Sequence, residues 1–108
     1  MLIVETNCNF DKIEKSLSEL MPDIKLTHII TDDNLKQFGF TENPPCVFIM
    51  DMTTEEFDNM MSDLMQIEID AFNTPDGAPP NKNDPYYQKY LRYGWLWDMF
   101  YNAKVVEK

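Results

Sequence analysis

The segment Cys46–Asn73, CVFIMDMTTEEFDNMMSDLMQIEIDAFN, decides the fold because it places an apolar run just before a long helix-forming stretch. The run Cys46–Met50 has the length and apolar composition of a buried strand. Thr53 and Glu56 are three residues apart, which is the spacing of a capping box. No Gly or Pro follows before Asn73, so the pattern predicts a helix over this stretch. A buried strand followed by a long helix indicates mixed α and β structure.

Two more strands and one more helix are predicted on the N-terminal side. Leu2–Thr6 and Leu26–Thr31 are short, rich in apolar or β-branched residues, and bounded by residue types that favour turns. Between them, apolar residues recur at helical spacing from Phe10 to Met21, and Pro22 ends the segment. The pattern therefore predicts an amphipathic helix between two strands.

The connections between the predicted strands indicate the type of sheet. They are long enough for crossovers, and none carries the Asn-Gly or Asp-Gly signal of a tight hairpin. We therefore expect an α/β (or α+β) fold: a small three-stranded, mostly parallel sheet, an N-terminal crossover helix and two longer C-terminal helices. Cys46–Met50, the most apolar strand, should be central, and Asp32–Phe38 could add a short helix.

The C-terminal third predicts a loop and then a helix rich in aromatic residues. Residues 74–85 contain four prolines and one glycine, which is typical of a turn-rich connector. Asp84 as N-cap and Pro85 at the first helical position then predict a helix that continues to about Ala103. All five tyrosines and both tryptophans lie in this helix: Tyr86, Tyr87, Tyr90, Tyr93, Trp95, Trp97 and Tyr101. Such residues favour surfaces that are buried on one side and wet on the other.

The apolar residues of this third helix fall on two stripes. One contains Tyr86, Tyr90, Tyr93, Trp97, Phe100 and Tyr101, and the other contains Leu91, Trp95 and Met99. Either both stripes pack inside the domain, or one remains available for a partner. We select the stripe of Leu91, Trp95 and Met99 as the predicted partner-binding residues. The expected function is a non-enzymatic interaction or small structural protein that binds a partner, or itself as a homodimer, through its C-terminal helices.

Charge is distributed unevenly along the chain. The formal net charge is −10, and no Lys or Arg lies between Lys36 and Lys82, an interval that holds nine of the acidic residues. Such a field repels phosphate backbones and anionic lipids, so we expect no direct binding to nucleic acid or membranes. It would suit a basic partner. One alternative function is an acidic decoy that occupies a basic, nucleic-acid-binding site on another protein.

Catalytic, metal and nucleotide motifs are not recognisable in the sequence, and we assign no catalytic residue and no cofactor. Cys8 and Cys46 lack the spacing of a zinc or redox motif, so free thiols are expected. Asp32, Asp33 and Asp51 follow predicted strands, where carboxylates sometimes bind Mg²⁺. A small metal-dependent enzyme that uses these three carboxylates is therefore the second alternative, although each of them also suits a helix N-terminus.

Glu68 conflicts with the pattern of the predicted second helix because it projects into the apolar arc. An unpaired buried carboxylate is costly, so a buried Glu68 requires a partner. Arg92 or a tyrosine hydroxyl on the aromatic helix could supply it. The sequence therefore predicts a buried polar contact between Glu68 and the third helix.

The length of 108 residues is common for a single domain. We expect residues 1–108 to form one globular domain with residues 74–85 as a Pro-rich internal loop. The apolar runs are far shorter than a membrane-spanning helix requires. The N-terminal residues lack the basic region and apolar core of a secretory signal, so we expect a cytoplasmic protein.

Overall fold

The computed structural model describes residues 1–29 and 46–107 and shows helices packed on a β-sheet. Its elements in chain order are β1 (Leu2–Thr6), α1 (Phe10–Leu20), β2 (Leu26–Ile29), β3 (Cys46–Met50), α2 (Thr54–Phe72), α3 (Pro85–Tyr93), α4 (Trp95–Asn102) and β4 (Lys104–Glu107). A short 3-10 turn, Pro75–Gly77, follows α2. The helix predicted at Asp32–Phe38 lies outside the described residues, as does the end of the second predicted strand.

The sheet has the strand order β2-β3-β1-β4, and each neighbouring pair is antiparallel. Mixed α and β structure and the interior position of β3 are confirmed. The prediction of three mostly parallel strands is wrong. The crossover through α1 does bring β2 back in the direction of β1, but β3 lies between these two strands and runs the opposite way. A long connection between strands therefore does not make them parallel neighbours.

The fourth strand, β4, was not predicted because it is only four residues long and follows the last helix almost directly. It pairs with β1 and places Val105 opposite Val4. Among the elements of residues 1–29 and 46–107, the order is β-α-β-β-α-β, with α2, α3 and α4 together in the place of the second helix. This is the split β-α-β topology of ferredoxin-like folds. That topology accommodates many activities, so it does not specify a function.

The described helices pack on one face of the sheet. The main buried cluster combines sheet residues with residues of α1, α2 and α4: Leu2, Val4, Ile13, Leu17, Cys46, Phe48, Met50, Met60, Leu64, Ile67, Leu96, Met99 and Phe100. Alternate residues on the strands face the other way. There Ile3, Ile29 and Val47 form a second buried cluster. The first three residues of β1 and all of β3 are therefore apolar and largely buried on both faces, which explains their near-continuous hydrophobic sequences.

The start of α2 matches its prediction in atomic detail. The backbone N–H of Thr53 donates to Glu56 Oε1 at 3.0 Å, and the backbone N–H of Glu56 donates to Thr53 Oγ1 at 3.1 Å. The predicted capping box is therefore confirmed. Within the described part of the chain, no helix is long and apolar enough to cross a membrane.

The predicted third helix is divided at Gly94 into α3 and α4, so its prediction as one continuous helix is wrong. Its predicted start is confirmed, because the Asp84 side chain accepts from the backbone N–H of Tyr86 and Pro85 is the first helical residue. At Gly94 the backbone is helical, with φ −59° and ψ −31°. Glycine is required at this position because it has no side chain: a Cβ there would lie 2.6 Å from Cδ1 of Tyr90.

Gly94→Ala should destabilise the protein, although Ala is the better helix former by about 1 kcal/mol. The added Cβ would also lie 2.7 Å from the carbonyl oxygen of Tyr90, so the backbone or the Tyr90 ring must shift. We expect a loss of about 1–3 kcal/mol, the usual cost of overpacking. Urea denaturation measures this, with Ser62→Ala on the exposed side of α2 as the control. A stabilised Gly94→Ala protein would show that the close approach to Tyr90 is absent.

Candidate functional site

The three predicted partner-binding residues do not share one surface. Leu91 on α3 is 56% exposed, Trp95 at the start of α4 is half-buried, and Met99 is only 6% exposed. Met99 belongs to the main core cluster, so its assignment to a partner surface is wrong. The division at Gly94 explains this, because the periodicity of a single helix does not continue across it. Leu91 and Trp95 remain candidates.

Leu91 and Trp95 lie in a groove between α1 and α3. One depression of about 450 Å³ is lined by Lys12, Lys15, Ser16, Glu19, Leu91, Arg92, Tyr93 and Trp95. A second depression of about 570 Å³ shares Glu19, Arg92 and Tyr93 with the first, and adds Leu20, Pro85, Gln88 and Lys89. Because the two share lining residues, they form one continuous surface, which we call the α1–α3 groove.

The α1–α3 groove is cationic in an acidic protein. Four of the nine Lys and Arg residues line it, namely Lys12, Lys15, Lys89 and Arg92, and Glu19 is the single carboxylate among the described lining residues. Lys89 also lines a neighbouring depression with Asp63 and Asp70, so its charge is shared with an acidic surface. Positive charge is therefore concentrated at Lys12, Lys15 and Arg92, beside the exposed Leu91.

Specific contacts fix the walls of the groove. Lys12 Nζ lies 4.5 Å from the centroid of the Trp95 ring, which is within the range of a cation–π interaction. The Trp95 indole N–H donates to the carbonyl oxygen of Arg92 at 3.0 Å. The Tyr93 hydroxyl donates to Glu19 Oε2 at 3.1 Å and so links α3 to α1. The contacts with Lys12 and with the Arg92 carbonyl orient the indole of Trp95, and a pre-oriented aromatic surface loses little entropy when a partner binds.

The carboxylates proposed for a metal site are not assembled among the described residues. Asp51 is exposed, and it lines a shallow depression with Asp23, Glu56 and Asp63. Within residues 1–29 and 46–107, no group of three or more His, Cys, Asp or Glu residues is arranged to hold a metal ion. Asp32 and Asp33 lie outside these residues.

The two cysteines are free thiols, as expected. Cys46 is buried on β3, while Cys8 is half-buried. Burial, followed by the nearby Cys8, raises the pKa of the Cys46 thiol to about 11. Because the nucleophile is the thiolate, a thiol that stays protonated at neutral pH is a poor one. Cys46 is therefore a core residue.

Glu68 is exposed, so the prediction that it is buried is wrong. The buried stripe of α2 consists of Met60, Leu64, Ile67 and Ala71 and is narrower than the apolar arc of the sequence. Glu68 lies at the edge of this stripe, where a carboxylate can reach solvent. Arg92, its predicted partner, is an exposed residue of the α1–α3 groove. The sequence pattern overestimated how much of α2 is covered.

Comparison with known proteins does not add a functional assignment. The sequence matches no protein-family model, and no curated protein and no solved structure matches it.

Glu68→Ala should change the free energy of unfolding by less than about 0.5 kcal/mol, as is usual for an exposed position. The matched variant is Ile67→Ala, one residue earlier on the same helix, whose side chain is only 6% exposed. It should cost about 2–5 kcal/mol because it leaves a cavity. Thermal and urea unfolding of both variants test the orientation of α2. A larger loss for Glu68→Ala than for Ile67→Ala would contradict it.

Proposed function

We propose that this protein is a non-enzymatic interaction protein that binds a protein partner through the α1–α3 groove. The observation that supports it most is the exposure of Leu91, at 56%, beside a half-buried Trp95 in a groove with positively charged walls. Trp, Tyr and Arg are the residue types that most often dominate binding energy at interfaces, and Trp95, Tyr93 and Arg92 are all present here. An apolar residue next to such a set is a suitable centre for a contact surface.

Self-association is a second candidate, supported by a different surface. Tyr101 on α4 is 70% exposed and stacks on Trp97 with ring centroids 4.9 Å apart. A homodimer through this aromatic pair would still use a C-terminal helix, as the sequence suggests. It would leave the α1–α3 groove accessible. Light scattering over a range of concentrations separates a dimer from a monomer that binds a different protein.

The acidic decoy is a third candidate, and the surface that favours it is on α2. Five carboxylates of this helix are exposed: Glu55, Glu56, Asp58, Asp63 and Glu68. Such a surface attracts basic partners and accelerates their association. This helix also exposes two large apolar side chains, Ile69 at 52% and Phe72 at 47%. The groove is the stronger candidate because it combines Leu91 with Trp95, Tyr93 and Arg92, and Trp, Tyr and Arg most often dominate binding energy at interfaces.

The free thiols of Cys8 and Cys46 are relevant to the cellular compartment in which the protein acts. Disulfides form and persist in oxidising compartments, whereas thiols are maintained in the cytosol. We therefore propose a cytoplasmic location for the interaction.

Leu91→Ser should abolish capture of the partner from native extract, because polar truncation removes the apolar centre of the groove. If Leu91 is a hot spot of the interface, its truncation should cost about 2 kcal/mol or more, which is roughly a thirtyfold weaker affinity. Ile69→Ser is a closely matched control, since Ile69 on α2 is 52% exposed. Immobilised wild-type and variant proteins, compared by quantitative mass spectrometry of the captured proteins, give the result. Capture that depends on Ile69 and not on Leu91 would move the partner surface to α2.

A further inference from the structure

We propose that the α1–α3 groove recognises an acidic segment of a different protein, one that carries an apolar side chain for the surface of Leu91 and Trp95. This inference rests on the proposed function and specifies the chemistry of the partner. The chain as a whole has a net charge of −10, yet the groove gathers Lys12, Lys15 and Arg92, with Lys89 at its edge, around Glu19, the one carboxylate among its described lining residues. A surface charge opposite in sign to that of the whole molecule selects for an oppositely charged partner segment.

The arrangement of the cations supports a short amphipathic occupant. Lys12 and Lys15 line one wall from α1, and Arg92 lines the other wall from α3, with Leu91 and Trp95 at the same depression. A segment whose carboxylates meet the two walls can place an apolar side chain on Leu91. A helix that inserts one face into a groove between two helices is an established form of peptide recognition. Arg92 also offers a planar group that can bind a carboxylate with two hydrogen bonds.

A second copy of this chain fits the groove less well than a foreign segment. In a two-fold symmetric dimer whose axis passes through the groove, each groove would face the other, so Lys12, Lys15 and Arg92 would meet like charges. A copy that presents the acidic face of α2 without a reciprocal contact would leave its own groove open. Such a head-to-tail contact continues into a chain of molecules unless the rotation closes a ring. The charge pattern therefore favours a different protein as the occupant.

The phosphates of a nucleic acid could pair with the cations of the groove, but a nucleic acid does not match the apolar part of the groove. A phosphate backbone provides no apolar side chain for Leu91 and Trp95. A duplex would also extend beyond the groove onto a molecule of net charge −10 and be repelled there. The contrast between a short acidic peptide and a duplex is therefore part of the test.

The test uses the intact protein and a synthetic peptide of about 18 residues, roughly five helical turns. This peptide carries Leu at helical spacing and Glu at most other positions. Three comparison probes accompany it: a peptide with Gln in place of Glu, a peptide with Ser in place of Leu, and a DNA duplex of similar length. Fluorescence polarisation should show that the peptide with both Glu and Leu binds at least tenfold more tightly than each comparison probe. Its affinity should fall as salt rises from about 50 to about 300 mM, because ions screen exposed charges.

Charge-reversal variants place the binding on the groove. The double variant Lys15→Glu with Arg92→Glu should lower the affinity for the peptide at least tenfold. The control is the double variant Lys25→Glu with Lys82→Glu, which changes the charge equally at two other exposed residues and should leave the affinity nearly unchanged. Circular dichroism and urea midpoints verify that both variants are folded. Equal weakening by both variants, equal binding of the Gln or Ser peptide, or tighter binding of the duplex overturns the inference. If partner capture still depends on Leu91 in that case, the proposed function stands and only the partner's chemistry is wrong.

Discussion

The contact of the helices with the Phe48 ring is the interaction on which the rest of the structure depends. Phe48 is fully buried on β3, and its ring centroid lies 5.7 Å from that of Phe10 at the start of α1 and 6.5 Å from that of Phe100 on α4. Phe100 in turn meets Phe57 of α2 edge to face, at 5.7 Å. One continuous set of aromatic rings thus connects the sheet with three helices. Because α1 and the α3–α4 pair lie on the same face of the sheet, a groove forms between them.

The structure separates charge into two surfaces. The outer side of α2 carries exposed carboxylates, whereas Lys12, Lys15 and Arg92 come together across the α1–α3 groove. Lys89, which also lines a depression with Asp63 and Asp70, lies at the boundary between them. Such separation makes the electrostatic field of the molecule asymmetric, so that a charged partner is steered to one side of it. The functional meaning of the net charge of −10 is therefore in its distribution.

The sequence could predict the elements that local signals determine. Three such signals depend on residues close together in the chain: the Thr53–Glu56 capping box, the Asp84–Pro85 helix start and the apolar run of β3. Strand direction and the burial of Glu68 could not be predicted in this way, because both depend on which distant elements lie alongside. The position of β3 between β1 and β2 is a property of the whole fold.

The candidate site was predicted in part. Leu91 and Trp95 both line the α1–α3 groove and remain predicted partner-binding residues, whereas Met99 is in the core and was included because the division at Gly94 was not foreseen. The groove itself joins residues far apart in the chain, as the Tyr93–Glu19 contact shows with a separation of 74 residues. One signal was present in the sequence: Lys12 and Lys15, and likewise Lys89 and Arg92, are spaced three apart and so share a helix face.

The most direct test of the account is to map the partner surface residue by residue. Two-dimensional ¹H–¹⁵N spectra of the labelled protein, recorded with and without the purified captured partner, report which amides change environment. We expect the largest shifts along Lys12–Glu19 and Lys89–Trp95, and a larger shift for the indole N–H of Trp95 than for that of Trp97. Shifts concentrated on the acidic side of α2 or around Trp97 and Tyr101, with the groove unchanged, would contradict it.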